Sequence, residues 1–349
     1  MLNYNNDYWE EIKNIVSLMR NPEALSDKSI LITGATGMIC STVVDILWFI
    51  KKHNNINISV SLAGRDEKKM IVRFPFMEKD DYHFFEFDTS LDYKIFDRFD
   101  YIIHGAGNAD PNAIMKEPVE TILTNVLGLK SLFGLLKDKN ARLVFISSSE
   151  VYGRNIGDKP IKEDEYGFVD ILNPRACYPN AKRISETMCA AFKEEYGKDS
   201  VIVRPGHVYG PSISNKDSRA SAEFTRKAFI GEDIVLKGTG EKVRSYVYTL
   251  DCASAIITVM LYGDSLNAYN ISNPDSVVSI KEFATQMATE ANVDLKCEMT
   301  DTVIDKSGNL MDNSSVDSKK LLSLGWKPYY NLEKGVKSTL KYYVEGSDL

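Results

Sequence analysis

The segment SILITGATGMIC, residues 29–40, decides the fold of this 349-residue chain. It begins with a short apolar run between a Ser and a Thr, which predicts a buried strand. A glycine turn follows the run directly, and an apolar segment of helical length comes next. Gly34 and Gly37 permit a tight turn, so that a pyrophosphate can lie against the helix N-terminus. We therefore expect the first unit of a dinucleotide-binding domain here, with Cys40 replacing the third glycine of the usual pattern at a modest packing cost.

Strand-like and helix-like segments alternate through the first 205 residues. The strand-like segments are residues 29–33, 58–63, 83–87, 101–104, 142–147 and 200–204. Several are apolar almost throughout, as in strands covered on both faces of a parallel sheet. Helical periodicity is clearest over residues 119–137 and 180–196. This order predicts an α/β fold, a Rossmann-type doubly wound parallel sheet with its ligand at the carboxyl ends of the strands.

The chain is expected to have three regions. Residues 1–28 precede the first strand and predict an amphipathic helical extension, with apolar side chains at helical spacing at Trp9, Ile12, Val16 and Met19. Residues 29–204 form the dinucleotide-binding domain, to which a strand near residues 268–272 returns. After residue 204 the pattern loosens, so residues 205–349 should form mainly a smaller C-terminal substrate-binding lobe.

Composition excludes several classes of partner. The net charge is −7 and the pI is about 5.3, so neither nucleic acid nor an anionic membrane surface would attract this protein. No apolar run approaches the ~20 residues that span a bilayer, and the acidic, polar N-terminus does not resemble a signal peptide. The five cysteines are scattered without a CxxC pair, which indicates a reducing, cytoplasmic compartment and no metal site.

The residues after the second and third strands bear on the cofactor. An acid after the second strand normally binds the adenosine ribose of NAD, but this sequence has Arg65, which favours the 2′-phosphate of NADP. Asp66 can still reach the ribose, and a solvated loop arginine is the alternative role for Arg65. The cofactor is thus NAD or NADP, with Arg65 inclining the choice to NADP. Asp88, after the third strand, is a candidate for contacting the adenine, with turn capping as the alternative.

CYPNAKR, residues 177–183, places Tyr178 and Lys182 on one face at the start of a helix. An unperturbed Tyr has a pKa near ~10 and is a poor base at neutral pH. An adjacent cation and an oxidised nicotinamide both favour the phenolate, which predicts a general base. The serines at residues 147–149 end the neighbouring strand and supply a hydroxyl for the same substrate oxygen. A surface Tyr–Lys pair is the alternative.

The glycine turn, the strand-end serine and the YxxxK motif, in this order, resemble the extended short-chain dehydrogenase/reductase family of the NAD-dependent epimerase/dehydratase type. The likeness covers nearly the whole chain after the N-terminal helix. Further segments look like family motifs: HGAGNADP (104–111), Asn125 in TNVLGLKSLF, RPGHVYGP (204–211) and GWKP (325–328). The resemblance implies an NAD(P)-dependent enzyme of polysaccharide precursor synthesis, a nucleotide-sugar substrate, and a homodimer formed through the helices at residues 119–137 and 180–196.

The resemblance also implies roles for individual residues. Tyr178 would be the general base, Lys182 its electrostatic partner and Ser148 a donor to the sugar oxygen, with Glu150 as a further catalytic group. The residues expected at the cofactor are Gly34, Thr36, Gly37, Met38, Ile39, Arg65, Asp88, Thr89, Ala106, Asn125, Tyr178, Lys182 and Arg204. The residues expected at the substrate are Ser149, His207, Arg219 and Arg244. For both Arg219 and Arg244 a surface ion pair is the alternative.

The segment SSSEVYG, residues 147–153, lies where the dehydratases, epimerases and decarboxylases of this family differ in sequence. Enzymes that eliminate water from the hexose carry an Asp–Glu pair here, whereas this chain has Ser149–Glu150, so 4,6-dehydration is disfavoured. Simple 4-epimerases usually have small apolar residues. Together with residues 167–189 the segment looks most like UDP-glucuronate decarboxylases, in which oxidation at C4 yields a β-keto acid that loses CO2. Glu150 would act near C5, and a buried acid bonded to backbone amides is the alternative.

Two departures leave other functions open. His207 replaces an Asn that the family pattern places at the substrate, and Arg65 suggests NADP, which suits a net reduction. The main rival to a decarboxylase or 4-epimerase is therefore an NADPH-dependent reductase of a nucleotide-linked keto sugar or keto polyol precursor. A non-catalytic dinucleotide-binding regulator is a third class. The joint presence of Ser148, Tyr178 and Lys182 argues against it.

Overall fold

A computed structural model of the chain describes residues 2–89, 98–136, 140–154, 157, 159–298 and 311–345. Its central element is a seven-stranded sheet in which all neighbouring strands are parallel. The first six strands of the chain are β1 Lys28–Thr33, β2 Ile58–Gly64, β3 His83–Glu86, β4 Tyr101–His104, β5 Arg142–Ile146 and β6 Ser200–Pro205. The seventh strand of this sheet is Ala268–Ile271, which pairs with β6. Each strand lies within one residue of its predicted bounds, and the predicted doubly wound fold is confirmed.

Helices cover both faces of the sheet. The helices up to residue 196 are α1 Asn6–Leu18, α2 Met38–His53, α3 Glu67–Arg73, α4 Pro111–Lys116, α5 Pro118–Leu136 and α6 Cys177–Tyr196. In β1, Ile30 and Ile32 join an apolar core with α2, while Leu31 joins a second core with α5 and α6. Alternate residues of one strand thus face opposite layers, as the period of a strand requires. Among the described residues, no helix is both long and apolar enough to cross a bilayer.

The two helices predicted around the site begin earlier than expected. The sequence predicts a helix from residue 180, and α6 begins at Cys177 because Pro179 is tolerated in the first helical turn. The other predicted helix, residues 119–137, is α5, which begins at Pro118; residue 137 lies outside the described residues. Tyr178 is consequently the second residue of α6, close to the carboxyl end of β5.

The chain after residue 205 builds two smaller sheets and more helices. Its strands are β7 His207–Tyr209, β8 Ile234–Lys237, β9 Val243–Tyr248, β10 Ala268–Ile271 (the seventh strand above), β11 Val277–Ser279, β12 Leu295–Glu298 and β13 Asn313–Ser314. Its helices are α7 Ala220–Phe229, α8 Thr249–Tyr262, α9 Ile280–Ala291, α10 Lys319–Ser323 and α11 Leu332–Tyr342. Strand β9 pairs with β7, β11 and β13, and β8 pairs with β12. Helix α8 packs on α2 and belongs to the core of the large sheet.

Helix α1 is fixed by buried polar contacts as well as by its apolar face. The hydroxyls of Tyr4 and Tyr8 donate to the two carboxylate oxygens of Asp45, both at 2.8 Å. Asp45 lies on α2 and is fully buried. At the other side of α1, Glu11 accepts hydrogen bonds from Tyr330 at 2.6 Å and from Ser338, on α11, at 2.9 Å. The N-terminal extension therefore joins the large sheet domain to the C-terminal helix.

Candidate active site

The glycine turn after β1 is held tightly against the loop after β4. Gly34 has a φ of 68°, a left-handed conformation that glycine adopts without strain. A Cβ on Gly34 would lie 2.8 Å from the backbone nitrogen of Ala106 and equally close to the carbonyl of Gly105. Gly37 caps α2, and its N–H donates to the carbonyl of Gly34 at 2.9 Å. The turn leaves the N-terminus of α2 facing the carboxyl edge of the sheet, as a pyrophosphate site requires.

The cysteine at the third glycine position is accommodated by a glycine elsewhere. Cys40 is buried in α2, and its Sγ lies 2.3 Å from where a Cβ on Gly105 would be. The thiol therefore fills space that any other residue at position 105 would occupy. Cys40 fits here because residue 105, in the loop after β4, is a glycine, a dependence that no local pattern in the sequence indicates.

We expect Gly105→Ala to lower the free energy of unfolding by about 1–3 kcal/mol, because its methyl group overpacks against Cys40. Cys40→Gly alone should cost about 1 kcal/mol, the penalty of a helical glycine. The double variant should recover most of the Gly105→Ala loss, as measured by urea denaturation. Gly134→Ala is the control, since a Cβ there meets no atom within 4 Å. Additive losses in the double variant would contradict this packing.

Two buried polar atoms beside this turn lack partners. The Nε2 of His104 and the Oδ1 of Asn125 accept or donate no hydrogen bond among the described residues. Burial lowers the pKa of His104 to about 3, with Lys182 adding to the effect, so the ring is neutral, and its Nδ1 pairs with the Thr33 hydroxyl at 2.7 Å. Asn125 Oδ1 lies 3.3 Å from a Cβ built on Gly107. These unpaired atoms, together with the glycine cradle, fit a bound dinucleotide.

The residues expected at the adenosine end lie at the carboxyl ends of β2 and β3. Arg65 is exposed, and Asp66 caps α3 by accepting from the Lys68 N–H at 2.9 Å. Asp88 and Thr89 are half-buried after β3, and the Thr89 methyl group packs against Gly128 on α5. Thr36, Met38 and Ile39 are half-buried along the turn into α2.

Tyr178 and Lys182 are both buried on the face of α6 that meets β5. The Nζ of Lys182 donates to the carbonyl of Ile146 at 2.9 Å and lies 5.9 Å from the centre of the Tyr178 ring. Burial raises the pKa of Tyr178 to about 12, with the Glu150 charge adding to the effect. Burial lowers the pKa of Lys182 to about 8. The lowering of the Tyr178 pKa by Lys182 together with an oxidised nicotinamide stays a prediction.

The three serines after β5 have separate contacts. Ser147 donates to Glu186 at 2.5 Å, so its hydroxyl is used within the fold. The Ser148 hydroxyl accepts from the Glu150 N–H at 3.2 Å, and its hydrogen bond with the Tyr178 hydroxyl lowers the pKa of that tyrosine. Ser149 is buried at the start of the next turn. Of the three, Ser148 is the one that shares a site with Tyr178, as the sequence predicts.

Glu150 forms an ion pair that the sequence analysis did not anticipate. It lies on the 3₁₀ turn Ser149–Tyr152, and its Oε1 accepts from the guanidinium of Arg175 at 2.9 Å. Its charge adds to the rise that burial causes in the pKa of Tyr178, and it partly opposes the lowering that burial causes in the pKa of Arg244. The Glu150 carboxylate is therefore paired with the Arg175 guanidinium, rather than with backbone amides as in the alternative considered above.

Arg204 is placed differently from the sequence expectation. Its guanidinium donates to Glu186 at 3.0 and 2.6 Å, to the Tyr152 hydroxyl at 2.9 Å and to the Glu163 carbonyl at 2.8 Å. These contacts raise its pKa and fix β6 to α6 and to the segment after β5. The side chain expected at the cofactor thus serves the packing around the site, because its donors are taken up by a buried network.

Three of the four residues expected at the substrate, His207, Arg219 and Arg244, lie near one another. Burial lowers the pKa of His207 to about 3, and the charges of Arg244 and Arg219 add to the effect, so the ring is neutral between two guanidinium groups. The Nδ1 of His207 is buried and has no partner within the described part of the chain. Arg244 is also buried and donates to the carbonyls of Val243 and Asp312 at 2.8 and 3.2 Å. Such a buried cation bound only to carbonyls in the described residues suits an anionic ligand.

Arg219 combines features of the two roles expected for it, a substrate contact and a surface ion pair. It forms an ion pair with Asp217, and one of its nitrogens lies 3.8 Å from Met38 Sδ at the start of α2. Its charge also lowers the pKa of Tyr178. The surface ion pair exists, and the same guanidinium borders both the glycine turn and the catalytic tyrosine.

A cleft of about 190 Å³ opens beside the Glu150–Arg175 pair. The lining residues are Glu150, Gly153, Arg154, Phe168, Val169, Asp170, Asn173, Arg175, Ala176, Pro179 and Met311.

Arg175 and Arg183 are the functional neighbours that the sequence analysis missed. Arg183 donates to the carbonyl of Val151 at 2.6 Å and to that of Gly167 at 2.8 Å, which holds the turn that carries Glu150. The available signal was the position of both arginines beside the YxxxK motif.

The chain is similar in sequence and fold to known proteins of one family. The model of the NAD dependent epimerase/dehydratase family matches residues 30–272. UDP-glucuronic acid decarboxylase 1 of Xenopus tropicalis is 29% identical over 319 residues, which are 90% of this chain and 72% of that protein. UDP-glucuronic acid decarboxylase 6 of Arabidopsis thaliana is 30% identical over 312 residues, 89% of this chain and 87% of that protein. The UDP-glucose 4-epimerase structure from Thermotoga maritima shares the fold, with a TM-score of 0.75, 24% identity, and coverage of 90% and 98%.

Proposed function

The chain belongs to the NAD-dependent epimerase/dehydratase family, and from this membership we propose that it decarboxylates a UDP-linked uronic acid, with UDP-glucuronate as the first candidate. It is an enzyme that modifies nucleotide sugars with a nicotinamide dinucleotide. The observation that carries the finer proposal is the Glu150 carboxylate beside Tyr178, in a chain similar to UDP-glucuronic acid decarboxylases. Ser149 stands where a dehydratase of this family would have an acid, which disfavours dehydration.

The cofactor would be held by the Gly34–Gly37 turn, the N-terminus of α2 and Asn125. When bound, it supplies a hydride acceptor for sugar C4 and a hydride donor for the return step. Tyr178 takes the proton of the C4 hydroxyl as that oxygen becomes a carbonyl, and Ser148 donates a hydrogen bond to the same oxygen. Lys182 stabilises the tyrosinate. The resulting β-keto acid breaks its C5–C6 bond, releases CO2 and leaves the electron pair as a C4–C5 enolate, which is then protonated at C5.

We propose NAD as the resident cofactor, because a redox-neutral decarboxylation recycles it in place. The exposed Arg65 at the end of β2 is the observation that favours the second candidate, an NADPH-dependent reductase. Mass spectrometry of the molecules released on denaturing the purified protein separates the two. Retained NAD supports recycling, whereas NADP, NADPH or an empty site would favour the reductase and move the search to keto substrates.

The activity test is incubation with UDP-glucuronate, with detection of CO2 and of a UDP-pentose. UDP-glucose is the control substrate, since it lacks the carboxylate and cannot release CO2. Formation of a C4 epimer without CO2 would show a 4-epimerase instead. No turnover of either substrate, together with NADPH-dependent reduction of a keto sugar nucleotide, would overturn the decarboxylase proposal.

We also propose a homodimer formed through α5 and α6. The support is a set of large apolar side chains exposed on these two helices, namely Val119, Ile122, Leu123 and Ile184. Exposed apolar patches of this kind commonly mark protein–protein contacts. Light scattering at micromolar concentration should give twice the mass of the chain, and Leu123→Glu should shift the protein toward the monomer. A monomeric wild-type protein would contradict the dimer.

A further inference from the structure

Arg175 lies where it can tie Glu150 to the catalytic tyrosine. It sits in the 3₁₀ turn Pro174–Ala176, which leads directly into α6 and is capped by Asn173, whose side chain accepts from the Arg175 N–H at 3.0 Å. Only 3% of the Arg175 side chain is exposed, against 20% for Glu150. Removing a guanidinium from water is costly unless an anion pairs with it, so the 2.9 Å contact with Glu150 Oε1 is the favourable arrangement for both groups.

The backbone of Glu150 is fixed separately from its carboxylate. Its N–H donates to the Ser148 hydroxyl, and its carbonyl accepts from the Gly153 N–H at 3.1 Å. The carboxylate itself is three rotatable bonds away from this turn, and such side chains lose placement readily unless a partner holds them. Arg175 is that partner. We propose that Arg175 is a positioning residue, which binds Oε1 of Glu150 and so holds the carboxylate toward C5 of the sugar. The other carboxylate oxygen, Oε2, then faces the substrate. This inference rests on the proposed function.

The charges around Tyr178 provide a second test of the proposal, through the pH dependence of kcat. Tyr178 faces Glu150, whose charge raises its pKa, and Arg175 and Arg219, whose charges lower it, together with the Ser148 hydroxyl and the nearby Lys182. Removing Arg175 leaves the negative charge of Glu150 uncompensated, so Tyr178 becomes harder to deprotonate. Neutralising Glu150 has the opposite effect. The two substitutions should therefore move the pH midpoint of kcat in opposite directions, which a loss of folding would not do.

The test is a double-mutant cycle on turnover of UDP-glucuronate by the full-length protein. Arg175→Ala should lower kcat about 100-fold, as a displaced catalytic group does, while KM changes less than about threefold. Glu150→Gln should lower kcat about 100-fold or more. The double variant should match Glu150→Gln within about threefold, because Arg175 acts through Glu150. The pH midpoint should rise in Arg175→Ala and fall in Glu150→Gln.

Chemical rescue sharpens the cycle, since Arg175 lines the cleft and its removal leaves a guanidinium-sized space that opens there. Millimolar guanidine should restore part of the kcat of Arg175→Ala and none of the double variant. Arg175→Lys should retain an intermediate kcat, because a lysine supplies the charge without the planar fork. Arg20→Ala, which removes an arginine that contacts the Leu324 carbonyl far from the site, is the matched control and should keep full activity.

Failure of this inference is distinct from failure of the proposed function. If Arg175→Ala lowers kcat as much in the Glu150→Gln background as in the wild type, the positioning role is overturned while decarboxylation stands. If the wild type turns over no uronic acid nucleotide, the proposed function fails. Crystal structures of Arg175→Ala and Arg175→Lys then test whether Arg175 positions Glu150. A displaced Glu150 carboxylate in Arg175→Ala supports the inference, and an unmoved one overturns it. If Arg175→Ala does not fold, the kcat and the Glu150 position of Arg175→Lys give the answer.

Discussion

Replacing Tyr178 by Phe should lower kcat by about 10³-fold, within the range that general acid–base groups contribute. The change removes one hydroxyl and keeps a ring of the same shape in a buried position, so the fold and the glycine turn should persist. The loss is expected because no other hydroxyl in the described residues combines a hydrogen bond to Ser148 with a lysine one helical turn away. Steady-state formation of the UDP-pentose from UDP-glucuronate measures the effect.

Three controls separate chemistry from folding in this experiment. Tyr196→Phe removes a hydroxyl from the far end of the same helix, where the ring is about one-third exposed, and should leave kcat unchanged. The amount of dinucleotide released on denaturation should be equal in the wild type and Tyr178→Phe. The thermal midpoints should also agree. If Tyr178→Phe keeps a tenth or more of the wild-type kcat, another group is the base and the proposed roles of Ser148 and Lys182 fall with it.

The fold was predictable from the sequence because its signals are local. Several strands of the large sheet are short apolar runs bounded by turn residues, and the order of strands and helices leaves few possible topologies. The glycine turn and the YxxxK spacing are also local, so Gly34, Tyr178 and Lys182 could be placed before any coordinates were known. Helical periodicity is clear only from residue 180, whereas α6 begins at Cys177, because a proline in the first helical turn costs little.

The side-chain partners within the site were not predictable in the same way. Glu150 and Arg175 are 25 residues apart, and Glu186 and Arg204 are 18 residues apart, so each pair depends on how the strands and α6 pack. Arg204 ends the predicted strand at residues 200–204, and the family resemblance implies a place for it at the cofactor. Its buried guanidinium donates instead to the half-buried Glu186 carboxylate, because an unpaired buried charge costs more than a solvated one.

Replacing Asp45 by Ala should lower the free energy of unfolding by about 3–5 kcal/mol, the cost of breaking a buried ion pair from one side. Asp45 lies on α2 and accepts from the Tyr4 and Tyr8 hydroxyls of the N-terminal segment. It also lies 3.9 Å from Arg73, which is 5% exposed and itself contacts the Tyr4 hydroxyl and Ser41. Without the carboxylate, Arg73 keeps its buried charge and both tyrosines lose an acceptor. Urea denaturation followed by circular dichroism measures the loss.

Asp7→Ala is the matched control, because Asp7 joins α1 to Lys341 through an exposed ion pair at 2.8 Å. Its loss should be about 1 kcal/mol or less, as for other solvated pairs. The double variant Asp45→Ala/Arg73→Met should be less destabilised than the sum of its single variants, since the second change removes the stranded charge. Equal effects of Asp45→Ala and Asp7→Ala would mean that the contacts of Asp45 stabilise the protein no more than a solvated ion pair does. A large effect confined to Asp45→Ala would make the N-terminal extension an integral part of the dinucleotide-binding domain, attached through the helix that follows the glycine turn.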